Sequence, residues 1–270
     1  MLFRSGDVFG NALILSRRMK LLAAFNHKHI FIDPNPDPEK SFEERVRLFN
    51  TPRTQWSDYN PALISAGGGV FSRFDKEITL SLEARAALAI PEDAAQSLPG
   101  EAIVSHILKA SVDLLWNGGI GTYVKARSES HSDVNDGTND SVRINADELR
   151  ARVVGEGGNL GFTQKARIEF SMRGGRINTD AIDNSGGVDL SDHEVNLKLL
   201  FAPLVKSGVL SLEGRNSLLK EIASEVVESV LQQNRDQSLL LSASALRSTK
   251  TIEQYRYLIR DMNQIGRAHV

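Results

Sequence analysis

The stretch "VVGEGGNLGFTQKARIEF", Val153–Phe170, decides the fold. Two β-branched residues lead into a turn rich in glycine, and an amphipathic segment follows the turn. A second stretch, "RINTDAIDNSGGVDLSDHE" at Arg176–Glu194, repeats this order of apolar run, Asn with paired Gly, and helix start. Strands that alternate with helices in this way are typical of a parallel sheet. We therefore expect two strand ends that open onto one cleft.

The composition is that of an ordinary globular protein. The chain has 270 residues, of which 41% are hydrophobic and 24% charged, and its formal net charge is −2. This charge and the lack of a Lys/Arg cluster argue against a nucleic-acid partner. The absence of cysteine excludes disulfides, thiol catalysis and cysteine-based metal sites. We find no apolar run that would span a membrane, no secretory segment and no histidine spacing typical of zinc, so we predict a cytoplasmic protein without a bound metal.

Both ends of the chain are set apart from the fold. "MLFRS" at residues 1–5 and "IGRAHV" at residues 265–270 fit codons from the two ends of a common sequencing-library adapter. We therefore expect adapter scars at both ends, and natural sequence over residues 6–264.

The pattern along the chain predicts the following elements. Helices are expected after a glycine turn at Gly6 and over "PEKSFEERVRLFN", Leu98–Leu108 and Thr163–Met172; strands are expected at His29–Ile32, Val112–Trp116, Arg152–Val154 and Arg176–Thr179. Arg127–Glu148 is interpreted as a solvated loop that binds nothing. The predicted fold class is α/β, with a Rossmann-like, doubly wound, mostly parallel sheet that lacks its first strand. An NAD-binding domain over residues 6–190 would be followed by an α-helical region over residues 191–264.

The turn "SGDVFGN" and the strand "HIFIDP" together indicate a dinucleotide site. Gly6 would let a diphosphate approach the backbone, Asp7 suits the first turn or cap of the helix, and Gly10 would let that helix pack closely on the sheet. Asp33, at the end of the second strand, would accept hydrogen bonds from the adenosine ribose, and its charge favours NAD over NADP. The first glycine of the motif is missing, and two glycines at this spacing also occur by chance.

Three asparagines follow predicted strands and offer both a donor and an acceptor to a ligand. Asn117 precedes Gly118 and Gly119, and Asn159 and Asn184 lie beside further glycines. The alternative is that each Asn and Gly only forms a tight turn. Trp116 is expected in the core rather than as a stacking platform.

Ser191 has two interpretations. "SDHE", Ser191–Glu194, fits a helix capping box, which needs no ligand. The same hydroxyl at a helix start would also suit an anionic carboxylate. His193 is expected to be solvated rather than to act as a base.

Taken together, these blocks resemble the large NAD-specific glutamate dehydrogenases of bacteria over nearly the whole chain. They are "SGDVFGN", "AAFNHKHIFIDPNPD", "SAGGGVFSR", "DLLWNGGIGTYVKA", "VVGEGGNLGFTQKARIEF" and "GGRINTDAIDNSGGVDLSDHEVN". "GEGGN" and "DNSGGVDLSDHE" are also similar to the corresponding turns of the shorter hexameric enzymes. Asp192 and His193 depart from that pattern, because the shorter enzymes have aromatic residues there.

The resemblance implies NAD as the cofactor, L-glutamate and 2-oxoglutarate as substrate and product, and a homo-oligomer. It assigns Asn159 and Asn184 to the nicotinamide end of NAD and adds Asn11, Asn117 and Gly118 to the cofactor site. Ser191 would bind the far carboxylate of glutamate, with Val188 beside its aliphatic part. The lysines and aspartate of the reaction are expected in a preceding domain, so no catalytic residue is assigned here and the chain alone is expected to be inactive.

Two alternatives stay open. In the first, the longer protein is a dehydrogenase of an amino acid other than glutamate. In the second, the chain is a nucleotide-binding module without catalytic activity.

Overall fold

The structure is a computed structural model that describes residues 11–266, apart from the side chains of residues 11, 12 and 249. The chain divides into two compact units; the first ends at Ala181 and the second begins at Ile182. The predicted boundary between residues 190 and 191 falls inside a helix of the second unit, Ser185–Lys206.

The first unit opens with a short 3-10 helix, Asn11–Ile14, and a three-stranded antiparallel sheet. Its strands, in the order β1-β2-β3, are β1 (Ala23–Phe25), β2 (His29–Ile32) and β3 (Gly69–Ser72). The strand predicted at residues 29–32 is confirmed, but its antiparallel pairing was not expected.

The long helix expected after Gly6 is wrong beyond Ile14, because a turn at Asn26 closes a hairpin between β1 and β2. The Asn26 side chain accepts hydrogen bonds from the backbone N–H groups of Lys28 and His29, at 2.8 and 2.7 Å. Such a turn reverses the chain and so favours strand pairing over helix.

Helix α1, Pro38–Asn50, is confirmed over the whole predicted stretch. Asp37 caps it by accepting from the backbone N–H groups of Glu39 and Lys40, and Pro38 fits the first turn, where no N–H partner is lost. One side of α1 contributes to an apolar cluster made of Phe31, Leu48, Trp56 and Tyr59.

A second cluster lies around two further helices. Strands β4 (Ile78–Thr79) and β5 (Ser97–Leu98) form an antiparallel pair, with α2 (Leu82–Ala87) between them in sequence. Helix α3, Gly100–Leu108, follows Pro99 and confirms the predicted helix. Its residues Ile103 and Val104 are fully buried.

A three-stranded parallel sheet confirms the α/β class of the first unit. Its order is β10-β9-β6, formed by β6 (Leu114–Asn117), β9 (Val153–Glu156) and β10 (Arg176–Ile177). Helix α5, Gln164–Met172, connects β9 to β10 and confirms the helix predicted there, with Thr163 as its N-cap. A smaller parallel pair is formed by β7 (Val124–Lys125) and β8 (Ile144–Asn145).

The segment from Arg127 to Glu148 is a solvated loop only in part. Most residues from 127 to 141 are exposed, as predicted, although they include the short helix α4 (His131–Val134) and a 3-10 turn. The prediction is wrong for residues 142–148, which contain β8 and a second 3-10 turn: Val142 and Ile144 are buried in the core, and the Arg143 side chain is buried among polar partners. In this second part, internal hydrogen bonds take the place of solvation.

The second unit is helical, as predicted. The four-residue α6, Asp180–Asp183, reaches into it, and α7 (Ser185–Lys206) and α8 (Leu212–Gln264) follow. Ser211 caps α8, and a kink at Thr251 interrupts its helical backbone. Within residues 11–266, no helix combines the length and apolar character needed to cross a membrane.

Replacing Gly100 with Ala tests the close approach of α3 to the preceding loop. A Cβ at Gly100 would overlap the backbone carbonyl of Arg73, which cannot turn aside as a side chain would. We expect G100A to lower the free energy of unfolding by about 1–3 kcal/mol in urea titrations. The control is G137A, because a Cβ at Gly137 meets nothing within 4 Å. Equal stability of the two variants would contradict this packing.

Candidate functional site

Two glycine turns meet at the carboxyl edge of the parallel sheet. Asn117 at the end of β6 is paired with Glu156 at the end of β9, and the Gly157 N–H donates to the Asn117 carbonyl at 2.8 Å. Beyond the strands, a Cβ on Gly158 would overlap the Gly119 carbonyl. The two turns therefore lie backbone against backbone, as only glycine allows. Ligands of open α/β sheets bind outside such strand ends.

Further contacts join the same two loops into one surface. Thr122 Oγ1 donates to the Leu160 carbonyl at 2.6 Å, and the Tyr123 N–H donates to the Gly161 carbonyl at 2.9 Å. Val124 forms a parallel bridge with Phe162. These contacts of the protein with itself hold the strand ends and their loops in register.

A buried ionic network fixes the turn that follows β9. Glu156 is fully buried, and Arg167 of α5 donates to both of its carboxylate oxygens, at 3.0 and 3.1 Å. The Arg167 guanidinium also contacts Asp180 at 3.1 Å, and Asp180 Oδ2 accepts from the Leu160 N–H at 2.8 Å. Leu160 has a φ of 58°, a left-handed conformation that this hydrogen bond helps to hold.

Sequence reasoning missed this network. Glu156 was considered only as a turn residue, and Arg167 and Asp180 were given no role. The signal was present, because an arginine inside a helix that also carries Ala166 and Phe170 lies on the buried side of that helix.

Asn117, predicted to bind the cofactor, lies at the carboxyl edge of the parallel sheet, but its amide faces the interior. The Nδ2 atom is buried without a hydrogen-bond partner, and a Cβ on Gly161 would overlap it. Gly118 is next to it in the exposed turn, and Asn159 lies exposed at the tip of the other turn. The structure therefore brings these three predicted residues together.

Trp116 is not a core residue, contrary to expectation. Its side chain is 47% exposed, and its ring lies on Gly155 and Gly157, where an added Cβ would come within 2.7 Å of the indole. β6 is therefore not the buried strand that its composition predicts, since Leu114 is 49% exposed as well.

Asp33 lies at the end of β2, in the antiparallel sheet. It is fully buried, and its Oδ1 accepts from both the N–H (3.1 Å) and the hydroxyl of Ser65. Its Oδ2 is buried without a partner. One carboxylate oxygen is thus available to a donor that reaches this point.

The predicted glycine turn cannot be compared with the structure. Gly6, Asp7 and Gly10 lie outside the described residues, and Asn11 begins the 3-10 helix that follows them.

The other predicted site residues belong to the second unit. Asn184 precedes α7, and Val188 lies on it with 51% of its side chain exposed. The capping-box interpretation of Ser191 is wrong, because α7 already begins at Ser185. Ser191 Oγ instead donates to the Gly187 carbonyl one turn earlier, at 3.1 Å. His193, expected in the first turn, also lies inside α7 and is half-buried.

Part of the segment expected to be a loop, residues 136–143, contacts Thr122 in the loop that follows β6. Asp136 accepts from the Thr122 N–H and from Asn139 Nδ2, each at 2.8 Å, and the buried Arg143 donates to the Thr122 carbonyl at 2.8 Å. Burial alone would raise the pKa of Asp136, but the hydrogen bonds from Asn139 and Thr122 and the Arg143 charge outweigh it. The pKa therefore lies below its usual 3.8.

Fold and site define a mixed α/β protein with a preformed edge of parallel strands suited to a ligand. Comparison with known proteins narrows this class. Residues 3–244 match the family described as bacterial NAD-glutamate dehydrogenase, catalytic domain. The chain is 52% identical over 263 residues to the NAD-specific glutamate dehydrogenase of Pseudomonas aeruginosa, and 50% identical over 264 residues to that of Mycobacterium tuberculosis.

These alignments cover 97% and 95% of the chain. The chain therefore belongs to the bacterial NAD-glutamate dehydrogenase family. It spans 16% of the length of each of these two relatives.

Replacing Arg167 with Met tests the ionic network. The variant leaves Glu156 buried without its counter-ion, so we expect a loss of about 3–5 kcal/mol in the free energy of unfolding. R152M is the control, since Arg152 pairs with Asp113 on the surface with side chains 81% and 88% exposed. An exposed pair contributes little, so that variant should unfold like the parent chain. A small effect of R167M would mean that the network does not hold the turn.

The lowered pKa of Asp136 predicts a dependence of stability on pH. Because the folded pKa is below the unfolded one, the stabilisation is complete above about 3.8 and is lost as the pH falls through the folded value. D136N should therefore reduce the loss of stability on acidification, measured as the thermal unfolding midpoint between about pH 5 and pH 2. D113N, which changes an exposed carboxylate, should leave the profile as it is. The same pH profile for D136N and the parent chain would contradict the assigned contacts.

Proposed function

We propose that this chain is the cofactor-binding part of an NAD-dependent glutamate dehydrogenase. The observation that carries the proposal is the contact between the turns at Gly118–Gly119 and Gly157–Gly158. It creates an edge of bare backbone at the ends of parallel strands, in a chain that belongs to this family. Backbone that lacks side chains allows a dinucleotide to approach closely.

We further propose that the sheet is the second half of a Rossmann-like, doubly wound fold. The chain order β6, β9, β10 equals their spatial order, as in that half of the fold, and β6 has β9 as its one neighbour in the described chain. A first strand would therefore find an open edge at β6. β2 offers no such edge, because β1 and β3 are hydrogen-bonded to its two sides. The part of the chain around β2 therefore departs from the strand order of a Rossmann-like fold.

Asp33, at the end of β2, fits NAD: its buried Oδ2 suits a ribose hydroxyl, which is a donor, and its negative charge disfavours the 2′-phosphate of NADP. Asn117 would contribute to the site through its position at the end of β6, because its Nδ2 atom faces the interior. In this proposal Gly6, Asp7, Gly10 and Asn11 bind the diphosphate, and Gly118, Asn159 and Asn184 lie at the nicotinamide end.

When bound, NAD would supply the hydride acceptor for the proposed oxidation of L-glutamate, which consumes water and yields 2-oxoglutarate and ammonia. Val188 and Ser191 would contact the substrate. The Ser191 hydroxyl donates within its helix, so it would have to turn away from the Gly187 carbonyl to donate to a carboxylate. We assign the proton-transferring groups to another part of a longer, cytoplasmic and homo-oligomeric protein.

The affinity for NADH tests the cofactor site. We expect the chain to bind NADH more tightly than NADPH, and D33N to weaken NADH binding by ~10-fold or more, because a hydrogen bond to a charged acceptor is lost. The measurement is a titration of NADH fluorescence. D75N, a change at an exposed carboxylate, is the control. An unchanged dissociation constant for D33N would remove Asp33 from the site, and no NADH binding by the parent chain would overturn the proposed function.

Turnover tests the rest of the proposal. The chain alone should form no NADH from glutamate, whereas a full-length protein should prefer glutamate to leucine or phenylalanine. NADH formation by the chain alone would show that its own residues complete the active site.

A further inference from the structure

Trp116 exposes an indole ring at the carboxyl edge of the parallel sheet. The ring lies over Gly155 and Gly157, where an added Cβ would come to 2.7 Å from its six-membered part. Its Nε1 atom lies 3.2 Å from the position of a Cβ on Gly118. The glycines of both turns thus lie against one side of the ring, whereas 47% of the side chain is exposed. The exposed surface therefore belongs to the side that faces away from the glycines.

The other tryptophan of the chain has the surroundings of a structural residue. Trp56 is buried in an apolar cluster, and its ring centroid lies 4.8 Å from that of Phe31 and 6.3 Å from that of Tyr59. Within residues 11–266, no aromatic ring or cationic group lies over the ring of Trp116. An exposed aromatic surface beside bare backbone is typical of a place that receives a flat ligand.

The position of the ring indicates which flat group it meets. In the proposed function Asp33, on the antiparallel sheet, accepts from the adenosine ribose, and Gly118 and Asn159 lie at the nicotinamide end. Trp116 precedes Gly118 by two residues and is paired with Gly155 of β9, so it lies on the same edge. Of the two rings of the dinucleotide, the one at this edge is therefore the nicotinamide.

The charge of the nicotinamide ring depends on its oxidation state. The oxidised ring carries one positive charge, which the reduced ring lacks. The face of an aromatic ring is electrostatically negative, and among side chains the indole of tryptophan attracts a cation most strongly. An indole at this position should therefore hold the oxidised cofactor more tightly than the reduced one.

We propose that Trp116 is the stacking platform for the nicotinamide ring and that it favours NAD over NADH. This inference rests on the proposed function and adds to it a residue that selects the oxidation state of the cofactor. The contact requires no movement of the chain, because the ring is already exposed and the glycine turns beneath it fix its position. In the oxidation of glutamate, this preference would favour release of the reduced cofactor.

The test uses the 270-residue chain and measures the dissociation constants of NAD and NADH by isothermal titration calorimetry. W116L keeps apolar bulk but removes the aromatic face, so it should weaken NAD binding by ~5-fold or more and NADH binding by a smaller factor. W116F, which retains a weaker aromatic face, should lie between W116L and the parent chain. L114A is the matched control, because Leu114 is exposed on the same face of β6 without a ring, and both affinities should be unchanged.

Tryptophan fluorescence separates stacking on a ligand from a structural role. NAD should quench part of the emission of the parent chain, and ADP-ribose, which has the same groups apart from the nicotinamide, should bind without this quenching. The quenching should be absent in W116F, in which Trp56 is the one remaining tryptophan. Trp116 would instead have a packing role if its sheet face, which Leu114 and Val153 continue, contacted another part of a longer protein. In that case NAD and ADP-ribose would give the same emission, and the proposal would be overturned.

The remaining outcomes distinguish this inference from the proposed function. Equal NAD affinity of W116L and a parent chain that binds NAD would reject Trp116 and leave the proposed function intact. Equal weakening of NAD and NADH binding in W116L would reject the selection of the oxidation state. A parent chain that binds neither form would overturn the proposed function, and this inference with it.

Discussion

The buried contact of Arg167 with Glu156 and Asp180 is the constraint on which the candidate site depends. The arginine joins three pieces of chain: the end of β9, the helix that follows it and the segment after β10. The fully buried carboxylate of Glu156 and the partly buried one of Asp180 would repel each other, and a single guanidinium with donors on several sides removes that cost. Through Asp180 the same contact reaches the backbone of Leu160 and holds its left-handed conformation. The shape of the glycine turn is therefore set by charge pairing beneath it.

The glycines have a related role. Gly158 lets one turn lie against the carbonyl of the other, and Gly155 and Gly157 leave room for the ring of Trp116. Side chains at these positions would push the strands apart or lift the indole. The edge therefore lacks side chains because the close packing of its two turns and of the Trp116 ring leaves no room for a Cβ. In the proposed function, the same lack of side chains would let a dinucleotide approach the backbone.

Buried charged groups also stabilise the rest of the first unit, and they differ in how many of their polar atoms are paired. Arg143 and Arg167 are each neutralised by carboxylates, and both stabilise the loops of the edge. Asp33 keeps one carboxylate oxygen buried without a partner among the described residues, and in the proposed function that oxygen accepts from a ribose hydroxyl.

The sequence by itself determined the α/β class of the first unit, helices α1, α3 and α5, strands β9 and β10 on either side of α5, and the helical second unit. These depend on local signals: caps, glycine stops and apolar periodicity act within a few residues. The tertiary structure alone decided the rest. The hairpin at Asn26 outweighed helical periodicity, and the buried Arg143 of the polar segment found its partner at the distant Thr122 carbonyl. Ser191 lost its capping role because α7 begins six residues earlier, at Ser185. Which polar residues are buried, and which of them are paired, depends on partners distant in sequence, and the order of residues along the chain does not reveal those partners.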